Sequence, residues 1–243
     1  MRPPPDDGGG QDLQAKPMDM SQENTGAKNQ RISVLIVDSC PVPRRGLVQL
    51  IEDSVDLRVC GEVEQAHEID GRLEADRPDV VVVNVTLVSG NGLDSIKAIK
   101  RHDPELRVLV FSHHDEAVMA PRAIRAGAAG YITCNEPPER VLEAIRAVAS
   151  GEIFLSGPMA RRMCSQMVNG RAKEAGSPLD RLTDRELEIY HLIGKCLGTR
   201  EIAEQLNVSM KTVSAHRTHI MRKMACRSGV ELMRSAVQWV QPI

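Results

Sequence analysis

Five short runs of aliphatic and β-branched residues alternate with five helix-period segments over residues 32–150, and few folds accommodate that pattern. The runs are Ile32 to Val37, Leu57 to Val63, Val80 to Asn84, Val108 to Ser112 and Gly130 to Ile132. The helical segments fall near 42–53, 65–75, 92–102, 116–126 and 137–150. Strands that are apolar on both faces belong in a parallel sheet covered by helices on both sides, so strict alternation predicts a doubly wound, open, five-stranded parallel sheet. In such sheets the functional crevice lies beyond the carboxyl ends of the strands, near a topological switch point. That rule gathers Asp38, Ser39, Asn84, Ser112 and Cys134 around one pocket.

The flanking segments read differently. Residues 1–30 hold Pro3-Pro4-Pro5, Gly8-Gly9-Gly10 and then mostly polar side chains, too little apolar surface to order a chain, and predict a disordered tail. Residues 151–178 contain Gly157-Pro158 and Gly170 with one helical stretch near 159–168, as expected of a partly structured linker. From Leu182 onward helices are predicted near 184–196, 199–206 and 210–224, with a fourth from Ser228. Thr183 followed by Glu186 forms a capping box at the head of the first. The expected order is tail 1–30, α/β domain 31–150, linker 151–178 and a small all-α four-helix domain 179–243.

Composition narrows the function classes. No apolar run approaches the ~18 residues needed to cross a bilayer, and no signal-peptide pattern stands at the start, so a cytoplasmic protein without membrane partners is expected. The six cysteines form no C-x-x-C pair, which argues against a disulfide framework or zinc ribbon and for reduced thiols. An aromatic content of 2% leaves few rings for stacking single-stranded bases. The net charge of −2 conceals an asymmetry: residues 31–150 hold 14 Lys+Arg against 19 Asp+Glu, whereas 205–230 hold five cations and no acid.

Four of those five cations lie in a helix, tight turn, helix pattern. Ile202, Ala203 and Leu206 face inward, Asn207-Val208 turn the chain, and Ser209 caps a second helix whose Val213, Ile220 and Met224 point inward. Outward lie Lys211, Ser214, Ala215, Arg217, Thr218, Arg222 and Lys223, small or cationic groups suited to a major groove about 12 Å wide. Charge alone leaves a solvated basic face on a helical bundle equally open. Leu182-Thr183-x-Arg185-Glu186, Glu201-Ile202-Ala203, Lys211-Thr212-Val213 and His216-Arg217 closely resemble the LuxR-type helix-turn-helix of NarL/FixJ-family response regulators. The resemblance implies base reading by Ser214, Ala215 and Thr218. Lys211, Arg217, Arg222 and Lys223, with Arg200 nearby, suit phosphate contacts on double-stranded DNA. The last helix carries Val230, Met233, Val237 and Val240; it packs the bundle or, as the resemblance implies, dimerises the module.

Residues 31–150 resemble the receiver domain of the same family, flavodoxin-like in fold, through Val34 to Asp38, Arg77-Pro78-Asp79, Gly92-Leu93, Ala126 to Tyr131 and Ala144-Ile145. The resemblance implies two adjacent acids and an acceptor aspartate around magnesium, a Ser/Thr for the phosphoryl group and a pairing lysine. These positions hold Asp38, Ser39, Asn84, Ser112 and Cys134. A carboxamide cannot become an acyl phosphate, and one carboxylate is a poor magnesium site. The family's acidic residue and proline after the acceptor are replaced by Asn91 and Val88. Aspartyl phosphorylation is therefore not expected, and no cofactor is. Three readings of the pocket remain open: preserved packing, mimicry of one fixed state, or a site for an unknown ligand or regulatory protein. Ser112 and Tyr131 stand at the family's switch positions, which leaves conformational coupling available.

Other residues read as structural. Cys40 and Cys134 near the pocket invite a redox or metal role, but small buried cysteines are common. His113-His114-Asp115 is expected to be a solvated loop, with metal ligation or helix capping as alternatives, and Met119, Met163, Met167 and Met224 to be packing residues. No Gly-rich phosphate loop, nucleophile elbow or metalloprotease pair suggests an enzyme. The expectation is a DNA-binding, homodimeric transcriptional regulator with a phosphorylation-independent receiver; the alternative is an interaction or ligand-sensing module that hardly touches DNA.

Overall fold

A computed structural model describes Met1 and residues 31–85, 92–168 and 177–240. The expectations for the rest of the tail, for Val88, Asn91 and Gly170, lie outside those residues. The α/β part runs β1 (Ile32–Val37), α1 (Pro41–Glu52), β2 (Leu57–Val63), a 3-10 turn (Ala66–Glu68), α2 (Ile69–Asp76), β3 (Val80–Val83), α3 (Gly92–His102), β4 (Arg107–Ser112), α4 (Glu116–Ala126), β5 (Gly130–Thr133) and α5 (Pro138–Ala149). All pairings are parallel, in the order β2-β1-β3-β4-β5, which puts the switch point between β1 and β3.

Side-chain alternation sorts the strands between two apolar layers. Val34, Ile36, Val80, Val82 and Leu109 pack with Leu47 and Ile51 of α1 and Val141, Ile145 and Val148 of α5. Leu35, Val37, Val81, Val83, Val108 and Val110 face Leu73 of α2, Ile96 and Ile99 of α3, and Val118 and Ala123 of α4. Each such side chain removed from water contributes about 1.5–3 kcal/mol.

The segment expected as a linker contains α6 (Gly157–Val168), and a 3-10 turn at Pro178–Arg181 leads to α7 (Asp184–Gly194), α8 (Thr199–Gln205), α9 (Met210–Met224) and α10 (Gly229–Val240). The predicted capping box is present: Thr183 Oγ1 accepts from the Glu186 amide at 3.2 Å, and the Glu186 carboxylate accepts from the Thr183 amide at 2.8 Å. Ser209 caps α9, its Oγ accepting from the Thr212 amide at 3.0 Å. At Gly194 a Cβ would come within 2.5 Å of the Ala236 carbonyl oxygen, so α7 and α10 approach as closely as they do because position 194 has no side chain.

One apolar cluster passes from the α2–α4 face of the sheet into the helical part through Met119, Met159, Leu179, Leu187 and Tyr190. Arg122 of α4 clamps that junction. Its buried guanidinium donates to Asp184 Oδ1 at 2.9 Å and to the carbonyl oxygens of Leu179 and Leu182 at 2.9 and 2.8 Å. Pro121, inside α4, lacks the amide that would bond the Ala117 carbonyl, and Arg162 of α6 donates to that oxygen at 3.2 Å.

Two packing expectations need correction. Met167 is 83% exposed, whereas Met119 is buried and Met163 and Met224 pack against the core. On α10 the buried residues are Leu232 and Ala236, while Val230 and Met233 are exposed and Val237 and Val240 half-buried, Val240 against Gly194 of α7.

Candidate receiver pocket and nucleic-acid interface

The carboxyl ends of β1, β3 and β4 are held in register beyond the strands themselves. The Asp38 amide donates to the Val63 carbonyl at 3.0 Å, that of Asn84 to Val37 at 2.9 Å and that of Cys134 to Ser112 at 2.9 Å. Asp38, Asn84 and Ser112 are buried there, Ser39 is half-buried and Cys134 is exposed.

Within the pocket the Asp38 carboxylate accepts from the Cys40 amide at 2.8 Å and from Asn84 Nδ2 at 3.1 Å. A carboxylate only accepts, so the Asn84 carboxamide must turn its N–H toward Asp38. The Ser39 hydroxyl is buried without a hydrogen-bond partner. This donor set does not suit magnesium: the one carboxylate is met by an N–H where the ion would need another anionic oxygen. Arg44 donates to the Asp38 backbone oxygen at 2.6 Å and also pairs with Glu62 and Glu64, so its charge is committed at the rim.

Partial burial pushes the Cys134 thiol up, away from thiolate formation, and both Cys40 and Cys134 are unbridged. Among the described residues, no group of three or more His, Cys, Asp or Glu side chains is arranged to hold a metal.

Ser112 and Tyr131 converge on one residue. Ser112 Oγ accepts from the His114 amide at 3.2 Å, and the fully buried Tyr131 donates its hydroxyl to the His114 carbonyl at 2.8 Å. Burial pushes the Tyr131 phenol up. His114 corrects the sequence expectation of a solvated loop: it is 6% exposed and lies flat on Trp239 of α10, ring centroids 5.0 Å apart and planes 13° off parallel. The covering ring comes from far along the chain, which local polarity could not signal. Asp115, the third residue of that motif, caps α4 by accepting from the Ala117 amide at 2.9 Å.

On α9, Lys211, Ser214, Ala215, Thr218 and Arg222 are exposed and Arg217 is half-buried, with Val213 and Ile220 facing inward. The Thr218 hydroxyl donates to the Ser214 carbonyl at 3.1 Å. Arg200 is exposed and pairs with Glu204 at 2.9 Å. Lys223 differs from the expectation of a phosphate contact: its ammonium lies 2.5 Å from the buried Glu186 carboxylate, tying α9 to α7. Burial pushes that carboxyl up, but the hydrogen bonds from Lys223 and Thr183 outweigh it and hold it below the ordinary range.

Sequence reasoning missed the residues that join the two parts: Arg122, Asp184, His191 and Trp239. The one available signal was the position of the chain's single tryptophan on a last helix with no other aromatic residue.

Comparison with known proteins bears on both parts. Residues 34–146 match the family described as "Response regulator receiver domain", and residues 180–236 match "Bacterial regulatory proteins, luxR family". The oxygen regulatory protein NreC of Staphylococcus carnosus is 32% identical over 211 residues, covering 85% of this chain and 97% of its own. The response regulator UvrY of Escherichia coli K12 is 30% identical over 207 residues, covering 85% of this chain and 94% of its own. Among solved structures, RcsB from Salmonella enterica serovar Typhimurium, bound to promoter rprA with a phosphomimetic, superposes with a TM-score of 0.65 at 22% identity, covering 86% of this chain and 99% of its own. A LuxR-family two-component response regulator from Aurantimonas sp. SI85-9A1 superposes at 0.53 with 29% identity, over 57% of this chain and 99% of its own.

Proposed function

The chain belongs to the NarL/FixJ family of response regulators, and we propose that it is a transcriptional regulator that binds duplex DNA without aspartyl phosphorylation. In this reading residues 31–150 form the receiver, 151–178 the connector and 179–243 the DNA-binding domain. The observation that carries it is the Asn84 carboxamide donating to Asp38 at 3.1 Å, at the position of a receiver's phosphoacceptor. The Asp38 carboxylate is thereby satisfied from within the pocket, and among the described residues the acceptor and cation positions hold Asn84 and Cys134, neither of which does that chemistry.

The exposed face of α9 supports DNA binding. Ser214, Ala215 and Thr218 offer small groups to base edges, while Lys211, Arg217 and Arg222 address phosphates. With the two parts docked these side chains remain outward, which favours a protein competent for DNA as it stands. The exposed Val230 and Met233 of α10 supply an apolar strip for a second copy, so a homodimer on two half-sites is the expected assembly.

Selection of bound duplexes from a random library, using untreated full-length protein, tests the reading. An enriched inverted repeat whose affinity falls steeply with salt is the expected result. Absence of enrichment, both for the full chain and for residues 179–243, would leave the receiver as an interaction module and overturn it.

A further inference from the structure

The rings that join the receiver to the helical part form a buried contact that disfavours a charge on its histidines. His191 of α7 meets His114 edge-on at 5.2 Å and Trp239 edge-on at 5.8 Å, and His113 lies 4.5 Å from His114. Both ring nitrogens of His191 are buried without a hydrogen-bond partner. The carboxylates that line the same cavity are already engaged, Asp184 by Arg122 at 2.9 Å and Lys97 at 3.6 Å, and Glu188 by Arg185 at 2.6 Å. Lys195, at the end of α7, opposes a positive charge on any of the three histidines, and Asp38 favours one on His113 alone. On the α4 side Asp115 is taken up by the Ala117 amide and Glu116 by the Ser156 amide. From α8 and α10 the cavity receives Gln205 and Trp239, neither of which carries charge.

We propose that this seam is a proton-operated latch: protonation of His191 and His114 parts the receiver from the helical domain and frees the Trp239 face of α10. An imidazolium at position 191 would bring two unpaired N–H donors and a charge into apolar packing, so the charged form is stable only when the seam opens. The latch does not depend on whether α9 recognises DNA.

The electrostatics agree in sign. Burial, then the neighbouring His113 and His191 and Lys195, holds His114 at about 3; burial, then Lys195 and His113, holds His191 at about 4. Once the seam opens, both return toward about 6.5. Each docked value lies below the open one, so docking is unopposed above pH ~6.5 and weakens as pH falls beneath it. Each ring changes the docking constant by up to about tenfold per pH unit, so from pH 7.5 to 5.5 the two together weaken docking by about a hundredfold.

Trp239 is the only tryptophan, so its emission reports the seam directly. The full-length protein is titrated from pH 7.5 to 5.0 with emission, radius of gyration by X-ray scattering and far-ultraviolet circular dichroism recorded together. The latch predicts a red shift and a larger radius with a midpoint below 6.5, while dichroism stays constant. H191F keeps an aromatic ring without the proton, and its pH-dependent loss of docking should be about tenfold smaller; H114F provides an independent second case. A flat emission and radius across the range would overturn the latch. So would a transition left in place by both variants, or one that coincides with loss of dichroism.

Discussion

Asn84 Nδ2 lies 3.1 Å from Asp38 Oδ2, so the carboxamide at the end of β3 satisfies a buried carboxylate at the end of β1. Asn84→Asp turns that hydrogen bond into a meeting of two carboxylates. Without a metal, one of them must protonate or repel the other. The variant should lose about 1–3 kcal/mol of stability at pH 7, with the loss shrinking as pH falls and one carboxyl takes up a proton. Denaturant unfolding at pH 7 and pH 5 measures both. It should also remain unphosphorylated, because Ser39 and Cys134 still occupy positions that the chemistry needs as an acid and a cation.

Arg122→Ala removes the buried cation that binds Asp184 and the carbonyl oxygens of Leu179 and Leu182, taking one donor from each of three acceptors. A loss of about 2–4 kcal/mol is expected, felt mainly at the junction between the two parts. Faster hydrogen exchange in residues 178–190 than in the β1–β3 core is the readout; uniform destabilisation would mean that Arg122 does not act at the junction.

Lys211 and Lys223 sit on the same helix but should behave differently. Lys211→Ala removes an exposed cation and should lower the salt slope of duplex binding by about one, with little change in stability. Lys223→Ala strands the Glu186 carboxylate and should destabilise the protein by about 1–3 kcal/mol while leaving the salt slope as it was. Glu186 is held below its ordinary range, so the ion pair's stability is present above about pH 4.5 and is lost as pH falls through the lower, folded-state value. The gap between wild type and Lys223→Ala should therefore narrow in acid, as thermal unfolding at pH 7 and pH 3.5 would show.

The sheet was legible because both-face burial leaves a mark in composition: Val80 to Val83 can hardly be anything but a central strand. The pocket followed from it, since the carboxyl ends of adjacent parallel strands must lie together. The capping residues Thr183 and Ser209 were legible because capping is local chemistry. What escaped was the junction. His114 looks like loop, and Arg122 like any helix-surface arginine, until residues 57 to 125 positions away are brought onto them. Lys223 was read as outward because, on α9 alone, nothing indicates that α7 brings Glu186 alongside. On α10 Val230, Met233, Val237 and Val240 recur at helical spacing, and only packing decides that Leu232 and Ala236 are the residues buried most deeply.

The most direct test of a receiver that works without phosphorylation is the intact mass of the full-length protein after incubation with magnesium and a small phosphodonor. An unchanged mass is the predicted result. A magnesium-dependent gain of one phosphoryl group on an aspartate of residues 31–150 would contradict it.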